Sequence, residues 1–150
     1  MKATEGRIGR VFVLRLEDGD RIPECIEKFA REKEIEIGHV VFIGGVGSGD
    51  IITGPYKTEE HPPNPIKLPI DGAHEVVATG LIVPESEGAP VLHIHGALGR
   101  TGQTVTGCLR KGVSVWLVGE VVIYEILGAD AKRLYDQKSG FTLLEVDTAK

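Results

Sequence analysis

The segment VLHIHGALGRTGQTVTGCL, Val91 to Leu109, puts two histidines and a cysteine into an apolar, strand-like run. Side chains alternate along a strand, so His93 and His95 share one face while Leu92 and Ile94 share the other. Their Cα atoms then lie about 7 Å apart, close enough for two imidazoles to converge on one ion. The position of Cys108 depends on the turn that brings the chain back. A turn centred on Arg100-Thr101 sets Cys108 opposite His93, and one centred on Thr101-Gly102 sets it opposite His95. Either keeps the sulfur on the histidine face, whereas an odd-length loop centred on Thr101 turns it away. Two nitrogens and a thiolate suit zinc and leave a fourth position for water, substrate or another side chain. Iron and nickel accept the same donors. Copper ranks behind them, because the axial methionine of a His/His/Cys copper site has no candidate here except Met1. Taken singly, a histidine on a half-exposed strand is ordinarily a solvated polar group and a strand cysteine ordinarily core. It is their conjunction that points to a metal.

His74 and Glu75 open the preceding strand pattern. Neighbours in sequence face opposite ways, so only one of them can look toward the cluster. His74 is the candidate fourth ligand. Glu75 is the candidate catalytic group, a general base or a partner that orients a ligand, approaching from a neighbouring subunit or across a bend. Such a site could serve metal-dependent lyase or hydrolase chemistry, or only hold a small-molecule ligand.

The elements that must position these residues follow from local pattern. Arg10 to Leu16 reads as a first strand ending at Glu17-Asp18-Gly19-Asp20. A helix should follow, with Asp20 as N-cap, Pro23 in the first turn and a buried stripe of Ile22, Cys25, Ile26, Phe29 and Ala30. Cys25 on that stripe is a small core residue. HVVFIGGVGSGDIIT suggests a strand, a glycine-rich bend or bulge and a second strand from Asp50. No Gly-Lys-Ser/Thr closes a phosphate loop there. Lys57 to Asp71 is polar and proline-rich and reads as a long loop, a candidate cover for the cluster, with His61 a solvated residue in it. HEVVATGLIV, VLHIHGALG, QTVTGCLR, VSVWLVGEVVIYEIL and FTLLEV read as strands, and Ala129 to Gln137 adds a helical turn. About seven strands with one main helix and few crossovers predict an α+β fold built on a mainly antiparallel sheet or sandwich.

With 150 residues the chain, 1–150, fits a single domain large enough for its own core. The formal charge of −5 supplies no basic footprint for nucleic acid. No apolar run approaches the roughly 20 residues of a membrane helix, and the N-terminus lacks a signal-peptide core, so a cytoplasmic protein is expected.

The order of IPECIEKFAR, HVVFIGGVGS, HEVVATGLI, LHIHGALGR, TGCLRKG and FTLLEV resembles the plants-and-prokaryotes-conserved (PPC) domain family over nearly the whole chain. That resemblance implies a compact α+β domain with an antiparallel sheet beside a helix, assembled as a homotrimer. Because aromatic residues concentrate at interfaces, Trp116 is expected at or near a subunit contact. It also implies a metal between the His-x-His strand and a third histidine in a Gly-Gly-His-Leu motif. Here that stretch reads Thr106-Gly107-Cys108-Leu109, so Cys108 stands in the place of the third histidine. The family's Glu-Ile-Leu-Ser-Leu-Thr-Gly, anchored on Thr79-Gly80, puts His74 where the family has glutamate; anchored on Glu75, it leaves one residue missing. Plant members join this domain to an AT-hook, which makes a DNA-binding or regulatory interaction module the alternative function. No Arg-Gly-Arg-Pro core of such a hook is found in this sequence.

Overall fold

Alternating burial organises the fold, and the computed structural model describes residues 1–110 and 112–146. In chain order the elements are β1 (Arg7–Leu16), β2 (Arg21–Ile22), α1 (Glu24–Glu32), β3 (Gly38–Ser48), β4 (Asp50–Thr53), β5 (Ile66–Pro69), β6 (His74–Pro84), β7 (Pro90–Arg100), β8 (Gln103–Leu109), β9 (Val113–Leu127), β10 (Ala131–Asp136) and β11 (Phe141–Val146). The result is the expected α+β class: one main helix against a predominantly antiparallel sheet. Its main strands run in the order β1-β9-β3-β6-β7-β8-β4-β5, with β2 paired to β9, while β10 and β11 form a separate hairpin. Sequence pattern merges or misses several short strands, so eleven are seen among the described residues where about seven are expected.

On the inner face of the sheet, Val40 and Phe42 of β3, Val76 and Ala78 of β6, and Leu92 and Ile94 of β7 are buried. They share one core with Ile26 and Ala30 of α1, Leu16 of β1 and Ile51 of β4. Removing this much apolar surface from water is the main term holding the sheet and helix together. Charge adds one local clamp. Arg10 donates through Nε and Nη2 to the buried carboxylate of Glu125 at 2.8 and 2.6 Å, and its backbone N–H reaches Oε2 at 3.0 Å. Those hydrogen bonds hold the Glu125 carboxyl down at about 2.

Three expectations need correction. The helix starts later than Asp20, because Arg21 and Ile22 are still extended, paired with Ser114 and Val113. Pro23 occupies the capping position without a side-chain hydrogen bond, and Asp20 accepts the Glu17 N–H at 2.8 Å instead. Second, the proline-rich stretch is not loop throughout, since Ile66–Pro69 pairs with β4 at the edge of the sheet. An edge strand with proline at its end loses little, because one side of it has no partner to bond. Third, the segment expected to add a helical turn after Ala129 forms β10, paired with β11.

The glycine-rich stretch is a bulged strand. Gly44 has φ 144°, and a Cβ there would lie 2.3 Å from the Val118 carbonyl oxygen, so close backbone approach to β9 excludes any side chain. Cys25 is half-buried and packs on the core as expected, with burial pushing its thiol up to about 11. Among the described residues no helix is long and apolar enough to cross a membrane.

Candidate metal centre

The β7–β8 turn settles the register. Arg100 pairs with Gln103 around Thr101 and Gly102, whose φ values of 50° and 78° are those a two-residue hairpin turn of this hand requires. Cys108 therefore lies opposite His95, the second of the two even-loop alternatives. All three side chains share the outer face, and their ligand atoms lie within 4.8 Å of one another. The two histidine Nε2 atoms are 3.0 Å apart, with the rings edge to face at 79°. Nitrogens that converge so closely share either a proton or a metal ion. A nitrogen, nitrogen and sulfur set is a coherent group for a borderline-soft transition metal.

The protonation states of the group follow from its surroundings. Burial, then the positive charge of Arg133, lowers the His93 pKa, with His95 and Arg110 acting in the same sense. His93 is thus neutral at neutral pH, the form that ligates. Burial pushes the Cys108 thiol up, while Arg110 and Arg133 pull it partly back. The sulfur remains a thiol until a cation displaces its proton.

A cavity of about 610 Å³ opens over the three residues. Its walls include Pro63 and Pro65 from the proline-rich stretch and Phe141 and Leu143 from β11. The two walls meet, since a methyl group on Gly140 would come within 3.1 Å of Pro62 Cβ. The proline-rich stretch does border the cluster, as its length suggested, but the C-terminal hairpin shares that role.

His74 and Glu75 are not brought to the group. Thr79 pairs with His95, and His74 lies five residues before it, roughly 17 Å away along the strand and of opposite parity. Its Nδ1 is 2.8 Å from the Gly72 carbonyl oxygen. Glu75 has the right parity, so it shares the outer face, but it lines a second hollow with Ile43, Val77 and Ala97.

Residues that sequence reasoning passed over complete the cavity. Glu27 of α1 is only 7% exposed and accepts the Leu92 N–H at 3.0 Å, beyond the point where β8 stops pairing with β7. Arg110, two residues after Cys108, lines the same space, as does Arg133 of β10. The available signal for Arg133 was slight: a lone cation on the buried side of an alternating strand, where Ala131 is its inward neighbour.

A single helix on an antiparallel sheet, with a His/His/Cys group in a cavity on the outer face, defines the class. The chain belongs to the Plants and Prokaryotes Conserved (PCC, or PPC) domain family, whose profile matches residues 3–127. The β10–β11 hairpin lies beyond that match. A metal-containing protein of Archaeoglobus fulgidus is similar at 29% identity and TM-score 0.83, over 97% of this chain and 99% of that one. A PPC protein of Pyrococcus horikoshii shares the fold at 24% identity and TM-score 0.81, over 99% of this chain and 100% of that one. So does a putative DNA-binding protein of Bacteroides thetaiotaomicron, at 20% identity and TM-score 0.79, over 95% and 97%. In sequence, the bifunctional protein GlmU of Synechococcus sp. (strain JA-3-3Ab) is 25% identical over 139 residues, 92% of this chain but 21% of that protein.

Proposed function

We propose that this chain is a single-domain, metal-binding PPC protein that holds one zinc ion on His93, His95 and Cys108 at the floor of a ligand cavity. The observation that carries the reading is the convergence of three ligand atoms within 4.8 Å beneath an accessible cavity. The metal-containing relative from Archaeoglobus fulgidus supports it. Three protein donors leave a position for water or ligand, and a bound ion would supply Lewis acidity there. Neutral His93 presents a ring lone pair beside His95, Cys108 gives up its proton on loading, and Arg110 and Arg133 stabilise the resulting thiolate. His74 and Glu75 would act at this group only from a second copy of the chain.

Such a copy has a seat on the apolar end of the outer face. Ile43, Val77 and Val118 line one hollow and are 47%, 66% and 48% exposed, and the neighbouring Trp116 and Leu117 are exposed as well. This apolar surface is the contact of the homotrimer in the proposed assembly, since exposed patches of this kind mark association sites.

The test is elemental analysis of the protein after zinc loading and gel filtration. The wild-type chain should retain one zinc per chain and the H93A/H95A variant none. Stoichiometric zinc in the double variant, at an unchanged melting temperature, would place the ion elsewhere.

A further inference from the structure

Arg133 is only 7% exposed, yet its guanidinium is poorly matched. Nη2 reaches the Leu81 carbonyl oxygen at 3.4 Å, a long contact, and the buried Nε has no hydrogen-bond partner. The charge of Glu85 is felt at Arg133, but no carboxylate among the described residues forms an ion pair with it. A cation held out of water without an anion is costly, and native structures rarely leave one so. This one lines the cavity over His93, His95 and Cys108.

We propose that the cavity binds a small organic carboxylate with an apolar body, its anionic end held by Arg133 and its body against Val91, Pro65, Phe141 and Leu143. A planar carboxylate suits a guanidinium, whose parallel N–H donors can meet two oxygens. The apolar walls suit a hydrocarbon body, and the carboxylates of Glu27 and Glu85 on the same cavity oppose a dianion such as phosphate. Arg110 adds attraction for one negative charge. Arg133 sits on the C-terminal hairpin, beyond the residues 3–127 that match the family model. The inference deepens the reading of this cavity as a ligand site and rests on it, but its binding step needs no metal.

Titration calorimetry of the full chain with acetate, benzoate and hydrocinnamate, each against its neutral amide, tests it. Benzoate should bind saturably, one per chain, and benzamide should not. The Arg133→Gln variant should lose about tenfold or more in benzoate affinity, and Arg133→Lys should fall between. Should Arg133→Gln fail to fold, the Arg133 Nε–H resonance of the wild-type protein, assigned with Arg133→Lys, must still shift on benzoate addition. Equal benzoate affinity in a folded Arg133→Gln variant, equal binding of amide and acid, a stationary Nε–H resonance, or no saturable binding by any of the three acids overturns the inference. Zinc content is measured on the same samples. A chain that binds benzoate through Arg133 but takes up no zinc removes the metal reading and leaves this one standing.

Discussion

The two ends of the outer face of β6 and β7 are built by the same rule and finish differently. At one end His93 and His95 alternate with buried Leu92 and Ile94, and at the other Glu75 and Val77 alternate with buried Val76 and Ala78. Alternation alone makes both ends outward-facing. The histidine end is then walled by the proline-rich stretch and the C-terminal hairpin, which lower the His93 pKa through burial and the charge of Arg133. No segment among the described residues buries Val77, which stays 66% exposed. One end thus becomes a cavity with chemistry in it, and the other stays an apolar surface that only another molecule can cover. The lesson is that a sheet face acquires function from what is laid across it.

That contrast can be broken most severely at the apolar end. Val77→Asp should convert the proposed trimer to monomer, a threefold drop in mass by light scattering, because a buried unpaired carboxylate cannot be tolerated in a contact. Zinc content should not change, since Val77 lies outside the His93 cavity. A variant that kept its mass would detach the exposed surface from assembly.

A smaller effect comes from outside both ends, at the sheet-edge pair of β1 and β9. Glu125→Ala removes the forked ion pair with Arg10 and should cost about 2 kcal/mol in urea unfolding, with the metal site and the assembly intact. The acid dependence has a definite sign. The folded-state pKa of Glu125 lies at about 2, below its ordinary 4.5, so its stabilisation is complete above 4.5 and is lost as pH falls toward 2. Wild-type melting temperature should drop through that window, and Glu125→Gln should flatten the drop.

The smallest expected effect concerns the turn that sets the cysteine register. Thr101 holds φ 50°, a conformation that costs a β-branched residue more than asparagine. Thr101→Asn should stabilise the protein by about 0.5 kcal/mol without altering zinc affinity. A loss of zinc in this variant would mean that the turn does not fix Cys108 opposite His95.

Much of this protein was legible in the sequence because strand periodicity is a local property. The shared face of His93 and His95, the long strand through Trp116 and the single helix all follow from the spacing of apolar residues within one segment. The register of Cys108 was legible down to a short set of alternatives, and the backbone at Thr101 and Gly102 chose among them. His74 shows where local reasoning stops. Its nearness in type and sequence gave it a place at the ion, but pairing of Thr79 with His95 sets it at the far end of the strand and on the other face. The proline-rich stretch could join the sheet only at an edge, and being an edge is decided by which strands lie elsewhere. Arg133 was read as part of a helical turn. Its burial, its missing partner and its place beside the His/His/Cys group come from the packing of a hairpin against strands distant in sequence. Long-range contacts of that kind leave no period in the chain, so only the tertiary structure could decide them.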